Sequence, residues 1–300
     1  MAAPLKLDWK TRFIAWWEGY DLSGLPRPKP SLKLDLSEEP AGPVSEYWSA
    51  TRIEIAEIVW GPGFHTPGGE EHIPTLIKPF GLDESMSVLD LGAGLGGAAR
   101  LMARVSNAWV TGLEEDPLLA HEGMERSVKA GLERRAPISR TNLEAVEFDK
   151  RYDAIFSKEA FFRVKHKDDL FELLQKGIKP RGQFLFTDYV LKHSAAASKA
   201  VTRWREGEER EVFPWTVNQV VDRLKRGRFD IRITEDITEL HRNQIVSAWE
   251  KAMATFAEKK PADDETQKII VSEAELWMRR VAALDTGDLR VFRFFALGPG

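Results

Sequence analysis

Short apolar segments alternate with amphipathic segments through most of the chain, and most of the apolar segments end in acidic or polar residues. The apolar segments predict seven β-strands, at residues 87–91, 108–113, 135–140, 152–156, 183–187, 229–234 and 289–297. Helical periodicity predicts helices at residues 45–60, 70–80, 98–105, 117–130, 168–178, 240–258 and 272–284. Strands that alternate with helices in this way predict an α/β fold with a doubly wound, mostly parallel sheet.

Two segments interrupt this alternation. Residues 1–45 combine an aromatic-rich stretch with prolines at 26–30 and 40–43, which predicts a short helix followed by an extended arm. Residues 190–228 are largely polar and helical in pattern, and we expect them to form a helical cap insertion over the strand ends. We therefore divide the chain into an arm at 1–45 and a domain at 46–300.

The aromatic residues of the arm have three candidate binding surfaces: the parent domain, a second copy of the chain and a membrane interface. Only three cations accompany its apolar face, which favours packing against protein. A homodimer held through the arm is one assembly that this packing predicts.

The composition argues against several classes of function. A net charge of −4 argues against a broad basic face for nucleic acid, and the lack of cysteine excludes disulfides, thiolate zinc sites and cysteine nucleophiles. The six histidines show no metal-binding spacing, so we expect no metal site. No apolar run approaches the ~18 residues of a membrane span, which predicts a cytoplasmic protein without stable membrane insertion.

The segment from Ser87 to Gly97 carries the clearest chemical signal. An apolar strand ends just after Asp90 and is followed by four glycines within six positions, where a ligand and the next helix both approach the backbone. The spacing Gly92-x-Gly94-x-x-Gly97 fits the dinucleotide fingerprint, a signal that several cofactor classes share.

Two carboxylates narrow the choice of cofactor. Glu114 lies about 20 residues past the glycines at the end of the second strand, where a carboxylate can accept both hydroxyls of a ribose. This position fits nicotinamide cofactors and S-adenosylmethionine equally. Asp90 favours S-adenosylmethionine, because an acid before the first glycine helps to hold a cationic amino-acid tail. A turn or helix cap is the alternative role for Asp90.

Two motifs then connect the chain to a known family. Residues 88–97 resemble motif I of the class I S-adenosylmethionine-dependent methyltransferases, and residues 110–114 resemble the acidic second motif of that family. Further stretches are similar to the phosphoethanolamine N-methyltransferases, at 60–69, 152–160, 178–182 and 186–189. The resemblance covers about residues 47–297. It implies a Rossmann-like methyltransferase fold, with S-adenosylmethionine as methyl donor and S-adenosylhomocysteine as product.

The resemblance also implies a cofactor site. Its residues are His65, Thr66, Asp90, Gly92, Gly94, Glu114, Glu115, Asn142, Leu143, Ser157 and Lys158. In this site Glu114 binds the ribose, and His65 and Thr66 belong to a loop that closes over the methionine. Asn142 stands where the family has an acid facing the adenine amino group, and its carbonyl oxygen can accept the same hydrogen bond.

The acceptor side of the site departs from the family pattern. A tyrosine and a histidine that latch the site in the family are replaced by Trp48, or Tyr47 with a one-residue shift, and by Arg163. Glu159 replaces an aspartate and keeps an acid that can orient an amine. The predicted substrate contacts are Trp48, Arg163, Tyr189 and Arg210, and the predicted proton acceptors are Glu159 and His166.

Together these residues predict a methyltransferase that acts on a small molecule, with an amine as the favoured acceptor. Transfer to oxygen or carbon of a hydroxylated or lipid-like metabolite is the first alternative. Two further alternatives stay open: a nicotinamide-dependent oxidoreductase, because the glycine spacing also fits that cofactor, and a non-catalytic module that binds a partner through the arm.

Overall fold

The computed structural model describes residues 44–148, 150–193, 198–259 and 263–300. The aromatic helix and the proline-rich arm predicted at 1–45 lie outside these residues, apart from Val44 and Ser45. The homodimer predicted through the arm therefore stays a prediction.

A single sheet of seven strands forms the centre of the described fold. Its strands are β1 Ser87–Leu91, β2 Trp109–Glu114, β3 Ile138–Arg140, β4 Tyr152–Lys158, β5 Ile178–Leu191, β6 Asp230–Asp236 and β7 Leu289–Leu297. Their order is β3-β2-β1-β4-β5-β7-β6, and β7 runs antiparallel to both β5 and β6. The doubly wound, mostly parallel sheet is thereby confirmed. The strand order reverses between β1 and β4, which opens a crevice at their carboxyl ends.

The helices lie on both faces of this sheet. They are α1 Ala50–Trp60, α2 Gly69–Ile77, α3 Gly97–Ser106, α4 Pro117–Lys129, α5 Lys167–Gly177, α6 Lys199–Gly207, α7 Val217–Arg226, α8 Thr238–Lys259 and α9 Asp264–Asp285. Short 3-10 segments lie at Lys78–Phe80, Leu143–Ala145 and Phe161–Arg163. Among the described residues, every helix is too short or too polar to span a lipid bilayer.

Alternate residues of the central strands face opposite layers of helices. Val88 and Phe156 belong to a buried cluster that contains side chains of α1, α2, α3, α8 and α9. Leu89 and Ile155 belong to a second cluster, with side chains of α5 and α7. Because helices cover both faces of the sheet, the ends of the strands are left to form a site.

The chain just before α1 is not helical, in contrast to the predicted helix start at Ser45. The Ser45 hydroxyl donates to the carboxylate that caps α4, and it accepts the backbone N–H groups of Tyr47 and Trp48. Ser49 then caps α1 through its side chain. These contacts hold residues 44–49 as a non-helical segment, the strap, which links the start of α4 to the start of α1.

A second difference concerns residues 179–182, between the helix predicted at 168–178 and the strand predicted at 183–187. These residues lie within β5. Tyr152 and Ala154 are two positions apart on β4, but they pair with Ile178 and Gln183, which are five positions apart on β5. The extra residues bulge out of the strand, and Arg181 takes a left-handed φ of 58° there. The strand predicted at 135–140 is shorter than expected and forms only its last three residues.

The predicted insertion at 190–228 forms α6 and α7, and it also contains the last two residues of β5. Its Trp204 side chain is fully buried. Directly after α6, Glu208 forms an ion pair with Arg280 of α9 at 2.7 Å. This contact ties the insertion to the helix layer beside the strand ends.

Candidate active site

The turn that joins β1 to α3 requires glycine. Gly92 and Gly94 have left-handed φ values of 73° and 54°. A Cβ atom on Gly94 would lie 1.9 Å from the ring of His65, and one on Gly92 would lie 2.4 Å from the Cβ atom of Ala160. The loop that carries His65 and the segment after β4 therefore both pack directly onto the turn.

Two buried carboxylates flank this turn. Asp90 is 2% exposed, and its Oδ2 atom has no hydrogen-bond partner among the described residues. Burial, assisted by the nearby charge of Glu114, raises the pKa of Asp90 to about 7. Glu114 accepts the backbone N–H groups of Gly94 and Asp116 at 2.7 and 2.9 Å, and burial raises its pKa too. Within the described ranges no side-chain cation pairs with either carboxylate, so a bound cation would be stabilised by both.

A cavity of about 370 Å³ opens at the carboxyl ends of β1, β2 and β4. The predicted site residues that line it are Trp48, His65, Thr66, Gly92, Glu114, Glu115, Leu143, Lys158, Glu159, Arg163 and Arg210. An adjoining cavity of about 30 Å³ reaches Asp90 and shares His65, Thr66, Gly92 and Lys158 with the larger one. The fold thus brings most of the predicted cofactor and substrate residues to one crevice.

Two predicted cofactor residues use their side chains elsewhere. The carbonyl oxygen of Asn142 accepts the N–H of Glu144 at 2.9 Å, and its side chain is exposed outside the cavity. The hydroxyl of Ser157 is buried and donates to the carbonyl of Leu91 at 2.8 Å. Asn142 therefore stabilises a local turn, and Ser157 joins β4 to β1.

Two residues predicted for the acceptor side also do not line the cavity. His166 is exposed at the start of α5, where its backbone N–H contacts the carboxylate of Glu144 at 3.3 Å. Tyr189 is fully buried, and its hydroxyl lies 2.8 Å from Nε2 of His241. The structure therefore gives His166 no place at the cavity, and it places Tyr189 behind the wall.

The end of the cavity where predicted substrate residues lie is called the acceptor end, and ion pairs form much of it. Lys158 Nζ lies 2.8 Å from Oε1 of Glu159, and Arg163 pairs with Glu209 at 3.0 Å. Arg280 forms the next ion pair and donates to both carboxylate oxygens of Glu208, at 2.7 Å each. Sequence reasoning missed Glu209 and Arg280, because neither belongs to a motif and only the tertiary fold brings them to this end.

The strap supplies the aromatic part of the wall. Trp48 meets the ring of His65 edge to face at a centroid distance of 5.5 Å. Tyr47 also lines the cavity, but its hydroxyl donates to Glu273 at 2.6 Å. Burial, with the charge of Arg163, lowers the pKa of His65 to about 3, so the ring is neutral and packs as an aromatic group.

Arg210, one of the predicted substrate contacts, forms an ion pair with a residue on the cofactor side of the cavity. Its guanidinium donates to Oε2 of Glu115 at 2.6 Å, and Oε1 of the same carboxylate accepts the backbone N–H of Leu143 at 3.2 Å. Arg210 is 47% exposed in its side chain. This ion pair closes the insertion over the end of β2.

Comparison with protein families gives one match that spans most of the domain. The family model described as mycolic acid cyclopropane synthetase matches residues 70–291, which are 222 of the 300 residues. The match contains the glycine turn, both flanking carboxylates and the acceptor end of the cavity. It begins after the strap, so it does not include the aromatic wall.

Two curated relatives are phosphoethanolamine N-methyltransferases. Phosphoethanolamine N-methyltransferase 1 of Zea mays is 25% identical over 213 residues, which cover 71% of this chain and 41% of that protein. Phosphoethanolamine N-methyltransferase 2 of Caenorhabditis elegans is 26% identical over 193 residues, which cover 64% of this chain and 43% of that protein. The chain thus spans less than half the length of these relatives.

A solved structure shares the fold. Haemonchus contortus phosphoethanolamine N-methyltransferase 2, in complex with phosphomonomethylethanolamine and S-adenosylhomocysteine, superposes with a TM-score of 0.75 at 23% identity. The alignment covers 84% of this chain and 59% of that chain.

Proposed function

The chain belongs to the mycolic acid cyclopropane synthetase family, and from this membership we propose that it transfers a methyl group from S-adenosylmethionine to a small-molecule amine. One observation carries the proposal. The buried carboxylates of Asp90 and Glu114 flank a glycine turn and have no cation of the described chain beside them. A cationic ligand that also carries hydroxyl groups satisfies both, and S-adenosylmethionine has an ammonium group, a sulfonium group and a ribose.

The cofactor end fits this ligand residue by residue. Asp90 Oδ2 would accept from the ammonium group, which removes its unpartnered state. Each oxygen of Glu114 accepts one backbone N–H and keeps a lone pair for a ribose hydroxyl. His65 and Thr66 line both cavities, and they would cover the methionine part. S-adenosylmethionine supplies a methyl group that its positive sulfur already activates, so the protein has mainly to position the acceptor and exclude water.

The acceptor end fits an amine. Burial opposes ionisation of Glu159, but the adjacent Lys158 ammonium lowers the pKa of this carboxylate below its usual value. An ionised Glu159 can orient an ammonium group and accept the proton that an amine must lose. The ring of Trp48 offers a face for the positive charge that remains after methylation. The curated relatives named phosphoethanolamine N-methyltransferase support an amine as well.

The activity screen described below also distinguishes other classes of methyl acceptor. The family is named for the synthesis of cyclopropane rings in mycolic acid, which is a reaction at carbon. Transfer to carbon of a lipid-like metabolite is therefore the second candidate. His166 takes no part in either proposal, because it is exposed away from the cavity. The cytoplasmic location and the homodimer through the arm stay predictions.

Calorimetric titration with S-adenosylhomocysteine tests the cofactor, and a screen for labelled methyl transfer tests the acceptor. The screen covers small amines, phosphobases, phenols and unsaturated lipids. Asp90→Asn removes one flanking charge, and Asp83→Asn, an exposed position before the same strand, is the matched control. We expect tight binding for the unaltered chain and Asp83→Asn, and weakened binding for Asp90→Asn.

Binding of NADH without binding of S-adenosylhomocysteine would instead assign the site to a nicotinamide cofactor. Cofactor binding without methyl transfer to any class of acceptor would favour the non-catalytic alternative. Labelled product from lipids alone would replace the amine by a carbon acceptor.

A further inference from the structure

Glu159 has a backbone conformation that a non-glycine residue seldom adopts. Its φ is 55°, its N–H donates to the carbonyl of Thr187 at 2.8 Å, and its side chain is 3% exposed. Such strain persists where surrounding contacts fix it, and it is concentrated at functional sites. The groups that contact the carboxylate of Glu159 therefore determine how it faces the cavity.

Two basic groups converge on one oxygen of this carboxylate. Lys158 Nζ lies 2.8 Å from Oε1, and Nδ1 of His241 lies 3.5 Å from the same atom. The other oxygen, Oε2, is buried without a hydrogen-bond partner among the described residues. Oε2 is therefore the oxygen that remains for a methyl acceptor.

His241 lies in the first turn of α8, in a region without a recognised motif. It is 2% exposed, and its Nε2 atom lies 2.8 Å from the hydroxyl of the fully buried Tyr189. Burial lowers the pKa of His241 to about 4, so the ring is neutral at pH 7. A neutral imidazole has one donor nitrogen and one acceptor nitrogen.

The Glu159 carboxylate determines which nitrogen of His241 carries the proton. With the proton on Nδ1, the ring directs an N–H group at Oε1, and Nε2 accepts the hydroxyl proton of Tyr189. With the proton on Nε2, a lone pair on Nδ1 would face the anion. Only the first arrangement places a donor opposite each acceptor in this row of three buried side chains.

We propose that His241 is a positioning residue: its Nδ1–H group holds Oε1 of Glu159, and Tyr189 fixes the ring, so that Oε2 faces the methyl acceptor. The role of Oε2 rests on the proposed function, whereas the tautomer of His241 does not. Contacts of this kind are often long before a substrate binds, and we expect the 3.5 Å separation to shorten when an acceptor engages Glu159.

Nuclear magnetic resonance tests the tautomer directly. The full chain is labelled at histidine nitrogen, and the His241 signals are assigned by their loss in His241→Asn. We expect the Nδ1–H tautomer at pH 7. Glu159→Gly removes the carboxylate while suiting the left-handed φ, and we expect mixed tautomers in it. A proton on Nε2, or a charged ring at pH 7, would overturn the inference.

Kinetics test the positioning role with the acceptor that the screen identifies. His241→Leu removes the donor, and His241→Asn keeps a side-chain N–H group near the place of Nδ1. Ile245→Val, a buried position one turn further along α8, is the control for a purely structural role. We expect kcat to fall about tenfold or more in His241→Leu, since a misplaced group costs up to about 10²-fold. Affinity for S-adenosylhomocysteine should be retained, and His241→Asn should recover part of kcat.

The double variant separates positioning from stability. If His241 acts through Glu159, His241→Leu causes no further fall in kcat once Glu159 is glycine. Equal falls in both backgrounds, or the same fall in Ile245→Val, would show a structural role and refute the inference. If the unaltered chain transfers no methyl group, the proposed function fails, and the tautomer alone still decides the inference.

Discussion

Replacement of Asp90 by asparagine should stabilise the protein and weaken its binding of the cofactor. Asp90 is buried, one of its oxygens lacks a hydrogen-bond partner in the part of the chain that the structure describes, and the carboxylate of Glu114 is nearby. Its charged form is therefore disfavoured in the folded chain, while nothing opposes ionisation in the unfolded chain. Asparagine keeps the shape of the side chain and removes this unfavourable charge.

The effect depends on pH in a direction that the pKa fixes. Burial raises the pKa of Asp90 from 3.8 to about 7, so the folded state holds a proton that the unfolded state releases. The stability that this proton supplies is fully present below the unfolded pKa and is lost as pH rises through about 7. For this single group, the two pKa values predict that the free energy of unfolding falls by about 2.5 kcal/mol between about pH 5 and about pH 8.

Urea unfolding of the unliganded protein at several pH values measures this difference. We expect Asp90→Asn to gain about 2.5 kcal/mol relative to the unaltered chain over that interval, and Asp83→Asn, an exposed carboxylate, to show no such gain. Saturating S-adenosylhomocysteine should reverse the order of stability, because the ligand's ammonium group stabilises only the carboxylate. A difference that does not change with pH would refute the argument, since it would show that Asp90 is ionised in the folded state throughout.

Four further substitutions test other parts of the site. Glu114→Ala should lower the affinity for S-adenosylhomocysteine at least about tenfold, because hydrogen bonds to a charged group contribute about 1.5–3 kcal/mol each. Circular dichroism checks that the variant is folded, and unchanged affinity would contradict the ribose assignment. Gly94→Ala should abolish cofactor binding in calorimetry, since the new methyl group would lie 1.9 Å from the ring of His65. Trp48→Ala should raise the KM of an amine acceptor by about 2- to 30-fold in steady-state assays, which corresponds to about 0.5–2 kcal/mol, while an equal rise for a neutral acceptor would argue against a cation–π contact. Arg210→Ala should change the free energy of unfolding by less than about 1 kcal/mol, because the Arg210 side chain is about half-exposed to solvent.

The cofactor end was predictable because its determinants are local in sequence. A strand, a glycine turn and a helix follow one another within residues 87–106, and the turn conformation itself requires glycine. The acids at 90 and 114 occur in or at the end of strands that neighbour each other in any sheet of this type. Their proximity therefore follows from the element order alone, and both acids line cavities at the strand ends.

Strand alternation explains why one predicted residue, Ser157, does not reach the cavity. Neighbouring residues of a strand face opposite sides of the sheet, so a position next to a lining residue is turned away from the site. Lys158 lines the cavity, while Ser157 before it bonds to the neighbouring strand. Tyr189 lies on the same face of the sheet as Lys158, but it is buried against the layer of helices that contains α8 and α9, where no motif predicts His241 as its partner.

The two ends of the site are held by different kinds of interaction, and this difference explains why the acceptor is hard to infer from sequence. The cofactor end depends on glycine conformations and on the carboxylates of Asp90 and Glu114, which stand at defined positions on two neighbouring strands. The acceptor end depends on ion pairs whose partners come from separate elements, such as Arg163 with Glu209 and Arg280 with Glu208. Removing one partner leaves a buried charge, whereas exchanging both members keeps the wall intact. Paired substitutions at this end can therefore change the acceptor while the fold and the methyl donor stay the same, so a motif for the donor carries no information about the acceptor.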